Sequence, residues 1–160
     1  MRLAQGLALA VIGVAGLAGA LLWRGATGDD EPREALSSST EARGEALYAT
    51  YCAACHGIDL RGEANWKSPL PDGSYPAPPH DASGHTWHHG DGLLFRIVKE
   101  GGVFYATAST PSRMPGFGDQ LCDADLREVI EYLKSQWGPR ERAFQAQASV
   151  EAPYPTPLTC

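Results

Sequence analysis

The sequence predicts an all-α fold, in which three to four short helices are joined by long loops. Three segments repeat apolar residues at the spacing of one helix face: residues 40–51, 91–100 and 123–137. Residues 66–84 contain five prolines, which exclude a helix or a central strand from that part of the chain. No stretch alternates apolar and polar residues as a half-buried strand does. The core is therefore expected to be built by helices alone.

The first predicted helix begins near Thr40, which can act as its N-cap, and ends near Tyr51. Gly44 lies inside this helix, where a glycine costs about 1 kcal/mol relative to alanine. Close approach of another helix would explain the glycine. A glycine tolerated at the surface is the alternative.

The later helices have clear stop signals. Gly101 and Gly102 follow the second helix, and Gly138 follows the third. Pro139 can begin one more short helix. Residues 139–160 are therefore predicted to form a C-terminal short helix and a disordered tail, which carries three prolines. The third helix should bury one apolar stripe, made of Leu126, Val129, Ile130, Leu133 and Trp137.

The N-terminal segment is interpreted as a membrane anchor. Leu3 to Trp23 is a run of 21 residues without a charge. This is long enough to span a bilayer, and longer than the apolar region of about 7–15 residues in a secretory signal. Residues 1–24 are thus predicted to be a signal-anchor, or transmembrane helix, with a cleaved signal peptide as the alternative. Residues 25–39 are polar and contain glycine and serine, which indicates a linker.

The net charge of the chain argues against nucleic acid as a partner. The chain has 19 acidic and 13 basic residues, a net charge of −6. An acidic surface of this kind argues against binding to nucleic acid.

The most informative stretch is Cys52-Ala53-Ala54-Cys55-His56, a C-x-x-C-H motif. This motif is the signature of covalent attachment of a c-type haem. Cysteines three residues apart on a helix face the same side, so that both sulfurs can reach one edge of the macrocycle. The motif predicts one haem c, bound through Cys52 and Cys55, with His56 as an iron ligand. Because bacteria attach such haems outside the cytoplasmic membrane, the haem domain is expected in the periplasm.

Met114 is the candidate for the second iron ligand. The chain has two methionines, and the other is Met1. A thioether is a soft ligand, and His/Met coordination raises the reduction potential of a haem. Ordinary core packing is the alternative role for a methionine, and a histidine could replace it as ligand.

These motifs resemble the class I c-type cytochromes, in particular the small, membrane-anchored, monohaem proteins of bacteria. The resemblance implies a cytochrome c-like fold around one covalent haem, over residues 40–138. It also implies that the first and last helices cross near Gly44, against an aromatic residue such as Tyr132, and that His56 and Met114 are the axial ligands. The residues that carry it are Gly44–Gly57, Met114–Gly118 and Leu126–Trp137.

A histidine cluster, His85, His88 and His89, surrounds Trp87, and His80 lies upstream. A metal site for copper or zinc is one interpretation, since imidazole binds both. Hydrogen bonding of the haem propionates by Trp87 or a histidine is the second. Helix-entry capping and surface polarity is the third. Arg61 and Trp66 are further propionate candidates, although each could equally be a solvated or packed side chain.

Two cysteines remain outside the motif. Cys122 precedes the third helix at an N-cap position, and Cys160 is the last residue. An oxidising compartment would permit a disulfide between them. Since nothing in the sequence fixes their separation, we expect both to be unpaired.

The function expected from the sequence is a one-electron carrier rather than an enzyme. It would pass electrons between redox partner proteins, as a free carrier or within a respiratory or dehydrogenase complex. An enzyme or gas-binding protein with an open iron site, and a metal-binding module built on the histidine cluster, are the alternatives. The haem pocket is expected to contain Tyr48, Leu60, Leu70, Leu94, Ile97, Phe104, Tyr105 and Phe117.

Overall fold

The computed structural model describes the backbone of residues 31–160 and the side chains from residue 39 onward. The predicted anchor, residues 1–24, lies outside the described residues. Residues 31–160 contain no named strand, and none of their helices is long and apolar enough to cross a membrane. The predicted all-α fold is confirmed. The helices are α1 (Glu31–Tyr51), α2 (Ala53–His56), α3 (Asp91–Glu100), α4 (Asp123–Ser135) and α5 (Pro139–Glu151), with short 3-10 helices at Thr86–His88 and Gly102–Phe104.

Helix α1 begins nine residues before the predicted start, at Glu31 rather than Thr40. The second half of the predicted linker, residues 31–39, is therefore helical rather than irregular, and its role as a linker stays a prediction. Glutamate, arginine, alanine and leucine in this segment are good helix formers, and proline is tolerated in a first turn. The polar composition and the three consecutive serines at residues 37–39 favoured a linker over a helix when the segment was judged by composition.

Helices α1 and α4 approach closely at Gly44, as the resemblance implied. A Cβ atom on Gly44 would overlap the carbonyl oxygen of Glu128 and lie 2.9 Å from the Cβ of Tyr132. One turn further along α1, the ring of Tyr48 packs against that of Tyr132, with 5.5 Å between centroids. The glycine is thus required by the crossing, and the surface alternative is wrong.

The core lies between α1, α3 and α4. Every residue of the predicted α4 stripe is at most 4% exposed. The 3-10 helix at Thr86–His88 packs against α5, and α3 packs against both α4 and α5. The main core side chains are Tyr48, Leu94, Phe95, Leu126, Val129, Ile130, Leu133 and Trp137.

The C-terminal segment is ordered and packs on the domain, which corrects the expectation of a disordered tail. Tyr154 donates a hydrogen bond of 3.1 Å from its hydroxyl to Glu131, and its ring meets Phe95 edge-on. The N–H and hydroxyl of Thr159 both donate to Asp123. The tail lies against α3 and α4, where tertiary contacts override its proline-rich composition.

Cys122 and Cys160 form a disulfide, with 4.9 Å between their Cα atoms. The expectation that both are unpaired is wrong. The cysteines are 38 residues apart in sequence, and α5 with the tail returns Cys160 to the start of α4. That return depends on tertiary packing, which no local sequence pattern reveals.

Candidate functional site

One cavity of about 580 Å³ brings together all four residues that the sequence nominated: Cys52, Cys55, His56 and Met114. Its size falls within the range of cofactor sites, about 300–1,000 Å³. Its wall is formed by the end of α1, by α2 and α3, by the face of α4, and by the loops before α3 and α4. Its apolar lining includes Tyr48, Tyr51, Leu94, Ile97, Val98 and Phe117.

The two motif cysteines lie on one helical turn. The N–H groups of Cys55 and His56 both donate to the carbonyl oxygen of Cys52, at 3.2 and 3.0 Å. Both cysteines are free thiols, one partly buried and the other exposed. Burial raises the pKa of Cys52 to about 11, which keeps this thiol protonated at neutral pH.

His56 is buried and held in one orientation by the loop that follows the motif. Its Nδ1 lies 2.9 Å from the carbonyl oxygen of Pro78. A carbonyl can only accept a hydrogen bond, so Nδ1 carries the proton and Nε2 is left with a free lone pair. Burial lowers the pKa of His56 and favours this neutral form. The imidazole is therefore prepared to ligate a metal through Nε2.

The Met114 loop is fastened to the end of α3. The N–H of Phe117 donates to Val98, and that of Gly118 donates to Lys99, both at 3.0 Å. The last carbonyls of a helix have no partner within the helix, and here two of them hold the loop. Gly102 donates to the carbonyl oxygen of Met114 at 3.0 Å. Backbone hydrogen bonds at Met114 and at the residues three and four positions after it thus hold this loop against the cavity.

His80 also lines the cavity, and sequence analysis missed its place beside the motif histidine. Its ring stacks on that of His56, with 4.0 Å between centroids and 24° between planes. Burial lowers the pKa of His80 well below its ordinary value. The sequence treated His80 only as an upstream member of the histidine cluster, and no local pattern pairs it with a residue 24 positions away.

The histidine cluster is split by the fold. His85 and His89 line the cavity, with 5.5 Å between their ring centroids. Trp87 and His88 instead pack against Phe144 of α5. Within the part of the chain that the structure describes, no group of three or more His, Cys, Asp or Glu residues could hold a metal ion.

The remaining propionate candidates do not line the cavity. Trp66 stacks on His85 from outside it, with 5.7 Å between centroids. Arg61 is exposed and pairs with Asp59 at 3.7 Å. Among the predicted pocket residues, Leu60, Leu70 and Phe104 are absent from the lining, whereas Tyr48, Leu94, Ile97, Tyr105 and Phe117 contribute to it.

The arrangement of helices, thiols, imidazole and thioether agrees with a family comparison. The model of the cytochrome c family, described as "Cytochrome c", matches residues 41–137. The chain belongs to the cytochrome c family. The matched segment begins within α1 and ends just after α4, so that α5 and the tail lie outside it.

Two curated proteins are similar to this cytochrome. One is the gluconate 2-dehydrogenase cytochrome c subunit of Pantoea cypripedii, 28% identical over 121 residues. The other is the cytochrome c subunit of the quinone-dependent alcohol dehydrogenase of Gluconobacter oxydans (strain 621H), 29% identical over 97 residues. The alignments cover 70% and 59% of this chain but only 24% and 18% of those relatives. No solved structure matches.

The family implies a covalent haem c, and the residues present fit one. The cavity is largely apolar, both thiols are free, His56 offers a proton-free nitrogen, and Met114 offers a soft sulfur. A bound haem supplies reversible one-electron chemistry at iron, tuned by its ligands and by burial. Family membership and the cytochrome subunits among the relatives support an electron carrier.

Proposed function

We propose that this cytochrome carries one electron at a time on a single haem c, bound covalently through Cys52 and Cys55. His56 and Met114 would be the axial ligands. The observation that supports this proposal is that one largely apolar cavity collects all four side chains. The chain's own contribution is to hold the ligands, exclude water and set the electrostatic environment, without making or breaking a bond in a substrate.

The optical spectrum of the holoprotein tests this assignment. The ferric wild type should be low-spin and show a methionine–iron charge-transfer band. Met114→Leu preserves the volume but removes the sulfur, so it should lose the band and become high-spin. Tyr105→Phe, another substitution in the cavity lining, should retain the band. High-spin iron in the resting wild type would overturn the proposal and favour an open iron site.

We also propose that residues 1–24 anchor the protein in the bacterial cytoplasmic membrane, with the haem domain in the periplasm. The support is the uncharged run from Leu3 to Trp23 and the site of bacterial haem attachment. The full chain should remain with membranes after a high-salt or alkaline wash, and should be digested by protease added to spheroplasts. Release by the wash, or protection from protease, would contradict this placement.

The partner we propose is a dehydrogenase, because both relatives are named as cytochrome c subunits of dehydrogenases. The proposed anchor would place this complex at the membrane. The complex should co-purify from membranes solubilised in mild detergent. Addition of a dehydrogenase substrate, such as gluconate or an alcohol, should then reduce the haem in the purified fraction. A fraction in which no such substrate reduces the haem would count against this partner.

A further inference from the structure

His80 is held in place by both its backbone and its side chain. Its N–H donates to the carbonyl oxygen of Leu60 at 2.8 Å, and its own carbonyl accepts a hydrogen bond of 2.8 Å from Nε1 of Trp137. Its Nδ1 lies 2.8 Å from Oγ1 of Thr86, a buried residue. These three contacts join the loop after the motif, the 3-10 helix before α3 and the end of α4.

This fixed ring forms a flat wall against the face of His56. The two rings are 4.0 Å apart and 24° from parallel. The hydrogen bond from His56 to the carbonyl oxygen of Pro78 restrains one edge of the imidazole. One hydrogen bond at the edge of the imidazole still allows the ring plane to tilt about the line of that hydrogen bond. A second ring stacked on its face removes this freedom.

We propose that His80 is a positioning residue that fixes the plane of the His56 imidazole, and that Thr86 in turn holds His80. This inference rests on the proposed function, because it requires His56 to ligate the iron. Groups that orient a metal ligand tune the metal, and their mutation typically costs about 10–100-fold in metal affinity or activity. The plane of an axial imidazole contributes to how unpaired spin is distributed over a ferric haem, and the groups that surround and orient the ligand contribute to the reduction potential.

The test uses ferric holoprotein and two readouts: the haem methyl resonances in the NMR spectrum and the reduction potential. His80→Ala removes the ring that stacks on His56. Thr86→Val keeps the shape of the threonine but removes the hydroxyl that holds His80. Both variants should change the spread or order of the methyl resonances and should shift the potential in the same direction. Thr86→Ser, which keeps the hydroxyl, should restore the wild-type pattern.

His88→Ala is the matched control, since this histidine is exposed and does not line the cavity. It should leave both readouts unchanged. If His80→Ala does not fold, the comparison of Thr86→Val with Thr86→Ser still decides the question. An unchanged methyl pattern and potential in the folded His80→Ala or Thr86→Val protein would overturn the inference.

Failure of the inference differs visibly from failure of the proposed function. If the wild-type optical spectrum shows His/Met coordination but the variants change nothing, only the role of His80 is wrong. If Met114 does not ligate, the methyl resonances of a high-spin haem still report the plane of His56. If His56 is not a ligand in the wild type, both the proposed function and this inference fail.

Discussion

The backbone N–H of Gly102 donates a hydrogen bond of 3.0 Å to the carbonyl oxygen of Met114. The preceding residue, Gly101, ends α3 with a φ of +79°. The chain therefore reverses at the end of the helix, and its next residue contacts the loop that carries the sulfur. The end of α3 and the loop that carries the candidate iron ligand are therefore linked directly through their backbones.

Gly101→Ala should displace the Met114 loop. A Cβ at this position would lie 2.5 Å from the nitrogen of Gly116 and 2.8 Å from the carbonyl oxygen of Met114. The positive φ of Gly101, combined with a ψ of 178°, lies in a backbone region that is essentially restricted to glycine, and it adds about 1–3 kcal/mol of strain for a residue with a side chain. We expect loss or weakening of the methionine–iron band, measured optically in the ferric protein.

The control is Gly73→Ala, which has a similar φ of +82° but does not line the cavity. It should lower stability without altering the band. A normal band in Gly101→Ala would show that the loop is not held through the end of α3.

Gly44→Ala should destabilise the domain at the crossing of α1 and α4. The new Cβ would overlap the Glu128 carbonyl, and overpacking of this kind costs about 1–3 kcal/mol. Chemical denaturation would measure the loss. Ala46, which is exposed and lies two residues further along the same helix, provides the control. Ala46→Gly should cost about 1 kcal/mol from helix propensity alone. A Gly44→Ala variant as stable as the wild type would contradict the close packing.

The double variant Cys122→Ser/Cys160→Ser should lose stability but keep its haem ligands. Removing a cross-link that closes a loop of this size costs about 3–4 kcal/mol in the chain-entropy model. Serine is a good N-cap residue, so the substitution at the start of α4 isolates the effect of the cross-link. Thermal unfolding with and without a reductant measures it. Equal melting temperatures for wild type and variant under oxidising conditions would refute the stabilising role.

The stability of the folded protein should fall in acid, because the Asp123 carboxylate becomes protonated. The hydrogen bond from Nζ of Lys99, at 2.6 Å, and those from Thr159 lower the pKa of this carboxylate. A carboxylate with a lowered folded-state pKa stabilises the protein above its unfolded value of about 3.9, and this contribution is lost as pH falls through the folded pKa. Unfolding measured between neutral pH and pH 2 should show the loss in the wild type.

Asp123→Asn should reduce that acid-dependent part of the stability. Asp59→Asn is the control, because both contacts of Asp59 are exposed: an ion pair with the side chain of Arg61 and a hydrogen bond of 3.3 Å from the Arg61 backbone N–H. It should reproduce the wild-type pH profile. Identical profiles for wild type and Asp123→Asn would show that the Lys99–Asp123–Thr159 contacts do not contribute.

Local patterns predicted those parts of the fold that depend on neighbours in sequence. The stripe on α4 follows from helical periodicity, and the end of α3 follows from its glycine pair. The start of α1 was misjudged because composition outweighed propensity in a serine-rich segment. The disulfide and the ordered tail were missed because Cys122 and Cys160 meet only after α5 and the tail have folded back.

The sequence by itself determined which groups can hold a haem, since the spacing of Cys52, Cys55 and His56 is a local property of one helical turn. It also predicted Met114 as a candidate ligand, because Met1 is the only other methionine in the sequence. Only the tertiary structure decided that these groups share one cavity and that His80 stacks on His56. Such contacts join residues distant along the chain, and they arise because helices and loops must pack together to bury their apolar surfaces and satisfy their backbone hydrogen bonds.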